Sequence, residues 1–131
     1  MPTLAQVKKK FESIVAQADR ELDKFKEELA QNPVHAFIWG EDAMKAAAQK
    51  QVAGYYLASI QGWEDKRVSH AGEELPETEE AVVTRLYNFI VKTAIDKARF
   101  TNQSTSFMSN NMARYEAAFY AELASDWELF Y

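Results

Sequence analysis

The sequence predicts an all-α protein that folds as one domain, a helical bundle of four main helices over residues 1–131. Only four residues are glycine and three are proline, so few positions can interrupt a helix. Apolar residues recur at steps of three and four, which is the period of a helix that buries one face. The predicted helices span about 3–31, 41–61, 77–100 and 107–129, with a short apolar connector at 33–40 and a polar loop at 63–76.

The first helix begins at Thr3, whose hydroxyl can accept a backbone hydrogen bond, and Gln6 three residues later completes a capping box. Asn32 precedes Pro33 and is therefore pushed out of the helical region, which ends the helix. An almost unbroken apolar stripe between these two signals predicts that the helix buries one side along its whole length. The stripe consists of Leu4, Val7, Phe11, Ile14, Ala18, Leu22, Phe25 and Leu29.

The second helix is rich in alanine, and Gly54, Ala58 and Gly62 recur along it at four-residue spacing. Small residues at this spacing allow another backbone to approach closely. A glycine in a helix interior costs about 1 kcal/mol relative to alanine, so a packing reason is expected. We predict a tight crossing with another helix of the same bundle at this position.

The third helix follows Pro76, and apolar residues cover most of its circumference. Such a helix is expected to be buried nearly all round, although a simple four-helix bundle hides only one side of each helix. We therefore expect an additional cover from the polar loop, the apolar connector or a second protein.

The fourth helix carries its apolar stripe to Trp127, and the chain ends in Phe130 and Tyr131. This apolar end is expected to dock on the core or on a partner.

The sequence contains no recognisable catalytic or cofactor-binding pattern. Cysteine is absent, which excludes disulfides, thiolate zinc sites and cysteine nucleophiles. Neither His35 nor His70 follows a glutamate by three residues, so the Glu-x-x-His pair of carboxylate-bridged metal sites is missing. Four scattered glycines supply no phosphate-binding loop. We therefore predict a protein that is not an enzyme and that needs neither a cofactor nor a metal.

Charge and hydropathy restrict the class of partner and the location. The net charge of −5 argues against direct binding of nucleic acid, which depends on lysine and arginine to neutralise phosphates. No stretch approaches the ~20 apolar residues that span a bilayer, and no secretory signal opens the chain. We expect a cytoplasmic protein that does not bind membranes.

The surplus of apolar and aromatic residues favours a small protein that acts by binding another protein, as an adaptor, regulator or inhibitor, or that forms a homo-oligomer. Aromatic side chains often anchor protein interfaces, and a run of acidic residues can dock on a basic surface. Two alternatives stay open: an acidic phage-type inhibitor of a nucleic-acid-handling or defence protein, and a carrier of a small apolar ligand between helices. The candidate partner-binding residues are Glu73, Glu74, Glu77, Glu79, Glu80, Tyr120, Trp127, Phe130 and Tyr131.

Overall fold

The computed structural model describes residues 2–69, 77–100 and 107–127, and within these ranges the only regular elements are helical. The predicted all-α fold with four main helices is confirmed. No helix in the described ranges is both long enough and apolar enough to cross a membrane. The helices are α1 (Leu4–Gln31), α2 (His35–Ser69), α3 (Glu79–Phe100) and α4 (Phe107–Ser125).

The start and the end of α1 follow from the predicted signals. The Thr3 hydroxyl accepts a hydrogen bond from the Gln6 backbone N–H at 3.2 Å, and the Gln6 side chain accepts one from the Thr3 N–H at 2.8 Å. This reciprocal capping box satisfies two amides that otherwise have no partner at a helix start. At the other end Asn32 is extended, and its side chain accepts a hydrogen bond from the Val34 N–H at 3.1 Å.

Helix α2 is longer than the sequence predicts, and it absorbs parts of both neighbouring segments. The predicted connector at 33–40 is reduced to a turn, because α2 already begins at His35. The predicted polar loop at 63–76 is helical as far as Ser69, and residues 70–76 lie outside the described ranges. Polar composition here marks an exposed helix, since residues 63–69 contain neither glycine nor proline and the Gln61 amide donates to Asp65 at 2.9 Å.

The two later helices differ from the predicted bounds by a few residues. Helix α3 begins at Glu79 and not at 77, because the Thr78 hydroxyl accepts a hydrogen bond from the Ala81 N–H at 3.1 Å and so caps the helix there. Pro76, the predicted starting signal, lies outside the described ranges. Helix α4 ends at Ser125 and is followed by a turn at 126–127, while residues 128 and 129 are not among those described.

Ion pairs show how the helices run relative to one another. Lys8 pairs with Glu64 at 2.9 Å and Asp19 pairs with Lys50 at 2.6 Å, so α1 and α2 are antiparallel. Helices α3 and α4 are also antiparallel, since Lys97 pairs with Glu116 at 2.9 Å and the Tyr87 ring contacts Trp127. Helix α2 packs on α1 and α4, and α3 packs on α4 and α1. The diagonals of the bundle are therefore α1 with α4 and α2 with α3.

The core lies where all four helices meet, in the first half of α1 and the second half of α2. On α1 the stripe is buried at Leu4, Val7, Phe11 and Ala18, whereas Phe25 and its neighbours are only partly covered. The buried residues from the other helices and from the turn after α4 are Ala46, Ala48, Val52, Ala53, Tyr56, Ile60, Val82, Val83, Leu86, Ile90, Phe119, Tyr120, Leu123 and Trp127.

Within this single chain helix α3 is not buried all round, and the predicted cover by a second protein stays a prediction. Val82, Leu86 and Ile90 point into the core, but Phe89 is 46% exposed and Ile95 is 49% exposed. The described residues cover only about half of each of these two side chains. Because apolar residues cover most of the circumference of α3, some of its apolar side chains lie at the surface of this bundle.

Candidate protein-binding surface

Two of the predicted partner-binding residues belong to the core. Trp127 is fully buried and Tyr120 is 6% exposed, so a partner cannot reach either side chain in this bundle. The Trp127 ring packs on Tyr87 at 5.4 Å between ring centroids, and Lys97 lies 5.7 Å from the centre of the Tyr120 ring. We therefore exclude both residues from the binding surface. The other two aromatic candidates, Phe130 and Tyr131, lie outside the described ranges.

Tyr120 belongs to a polar cluster inside the core. The Tyr56 hydroxyl donates a hydrogen bond to the Tyr120 hydroxyl at 3.1 Å, and the Tyr56 ring stacks on Phe11 with ring centroids 5.4 Å apart. Burial raises the pKa of both phenols, most strongly that of Tyr56. Both phenols therefore stay protonated at neutral pH. This arrangement ties α2 to α4 and offers no phenolate that could act as a base.

Only part of the predicted acidic patch falls within the described ranges, and arginine neutralises much of that part. Arg85 donates to the Glu77 carboxylate at 2.8 Å, and Arg67 donates to Glu79 at 2.7 Å. Glu80 is exposed, whereas Glu73 and Glu74 lie outside the described ranges. An acidic surface that already pairs with two arginines attracts a basic partner less than its sequence indicates.

The small-residue stripe of α2 faces away from the bundle, so the predicted tight crossing within the chain is wrong. A β-carbon added at Gly54 or Gly62 would meet nothing within 4 Å, and Ala58 is exposed. The period of the helix explains why the small residues face away from the bundle. Val52, Tyr56 and Ile60 point into the core, and the stripe lies on the other side of the same helix.

An exposed tyrosine lies beside this stripe. Tyr55 is 57% exposed and stands three residues before Ala58, on the same side of the helix. We call the surface formed by Gly54, Tyr55, Ala58 and Gly62 the open face. Residues 51–63 carry no charged side chain, so the open face is uncharged over more than three turns of helix.

A second exposed aromatic residue, Phe89, lies on α3. The Phe89 ring meets the Tyr56 ring edge-on at 6.2 Å, and the Tyr55 ring meets it edge-on at 5.2 Å. The two exposed rings therefore flank one buried ring at the α2–α3 diagonal. Sequence reasoning missed this site, because it placed Phe89 in the core and counted Tyr55 only as one of many aromatic residues.

Metal chemistry finds no support in the described part of the chain, where no group of three histidine, cysteine or acidic side chains lies together. His70 lies outside the described ranges, and so does the side chain of His35.

The larger clefts along the helices are open grooves with charged walls. The cleft of about 450 Å³ between α1 and α2, for example, is lined by Glu21, Lys24, Phe25, Glu28, Asp42, Ala43, Lys45 and Gln49. Such walls suit solvent better than a small apolar ligand.

Comparison with protein-family models, with curated proteins and with solved structures gave no match.

Proposed function

We propose that this protein is not an enzyme and acts by binding a protein through the open face of α2. The observation that carries the proposal is Tyr55, which stays 57% exposed in the middle of an uncharged stretch of helix. Exposed tyrosine offers a large apolar area together with a polar tip, and it loses little conformational freedom when a partner covers it. Tyr55 is the natural anchor of such a contact.

The glycines of the open face support the same proposal. Each glycine in a helix interior costs about 1 kcal/mol relative to alanine. Neither Gly54 nor Gly62 is needed for packing inside the chain, because a side chain at either position would point into open space. A partner backbone that approaches closely gives both residues a role that alanine fills less well.

The acidic-inhibitor alternative draws less support from the described residues. Its surface would be the acidic start of α3, where Glu77 and Glu79 already pair with arginine. Pairs of this kind reduce the field that steers a basic partner. We therefore place the binding surface on α2 and not on the start of α3.

The test is site-specific cross-linking. A photoreactive phenylalanine analogue replaces Tyr55 in one variant and Ala121, which is exposed on α4, in a matched control. Illumination of cells that express each variant is expected to give a discrete cross-linked protein adduct from position 55 and none from position 121. Mass spectrometry then identifies the adduct. The absence of any protein adduct at position 55 would contradict the proposal.

A further inference from the structure

We draw no further inference here: the strongest candidate, the exposed apolar surface patch at Phe89 on α3, is an unpartnered helix face, and nothing in the described part of the chain shows what covers it.

Discussion

Replacing the two glycines of the open face by alanine is expected to stabilise the monomer. Both residues lie inside α2, where helical backbone suits alanine as well as glycine, and an added β-carbon meets nothing within 4 Å at either site. The substitution therefore brings no steric penalty and no new contact. What remains is the helix propensity, which favours alanine over glycine by about 0.8–1.0 kcal/mol.

The expected gain in free energy of unfolding is the sum over the two sites, and the length of the chain converts it into a rise in the melting temperature. Gly54 and Gly62 are eight residues apart and share no neighbour, so their contributions are expected to add to about 2 kcal/mol in the double variant. A domain of 131 residues unfolds with an entropy of about 2.1 cal/mol/K per residue, which converts this gain into a rise of about 7 °C in the melting temperature.

Urea unfolding, followed by circular dichroism, measures the effect at a protein concentration low enough to keep the chain monomeric. Under these conditions the midpoint is expected to rise without a change in slope. A double variant that is equally stable or less stable at low concentration would contradict the reasoning, since it would show that the glycines are needed within the chain.

Three further predictions concern the core. Trp127→Ala is expected to cost about 3–5 kcal/mol in unfolding free energy, because the side chain is fully buried; a loss below about 1 kcal/mol would mean that Trp127 is not part of the core. Tyr120→Phe removes the acceptor of the buried Tyr56 hydroxyl and is expected to cost about 1–3 kcal/mol, whereas Tyr55→Phe at the surface is expected to be nearly neutral in the same urea titration. Burial raises the pKa of Tyr56 and Tyr120 in the folded state, so the unfolded chain loses these protons first and stability is expected to fall as the pH rises above about 10. Urea midpoints between about pH 8 and pH 11 would measure this fall, and midpoints that stay constant in this range would contradict the pKa shifts.

The ends of helices were predicted best where the sequence signal is a side chain that hydrogen-bonds to nearby backbone groups. The capping box at Thr3 and Gln6 and the stop at Asn32 are confirmed, because each signal depends on residues a few positions apart. The segments around α2 were predicted less well, since Pro33 ends one helix without preventing the next from starting at His35. The polar residues from Glu64 onward predicted a loop. Polar residues indicate only that a segment is exposed to water, and a solvent-exposed helix is polar as well.

The proposed binding surface was harder to predict because it depends on which way a helix faces. The spacing of Gly54, Ala58 and Gly62 shows that they share one side of α2, but it does not say whether that side meets the core. The relevant signal was present nearby. Tyr56 and Ile60 are larger apolar residues that occupy a different side of the same helix, and burying them turns the small residues outward. Trp127 lies on the predicted apolar stripe of the fourth helix, and its full burial agrees with the expected docking of this apolar end on the core.

The two sides of α2 therefore differ in what their residues do. Inward, Val52, Tyr56 and Ile60 bind the helix to the bundle and are buried to within a few per cent of their surface. Outward, glycine lowers the stability of the helix without improving any contact inside the chain. No contact within the described residues gives these two glycines a packing role. The role we propose for them is the close approach of a partner backbone, and the Gly62→Ala variant separates the two effects, because it is expected to strengthen the fold and to weaken the binding of the partner.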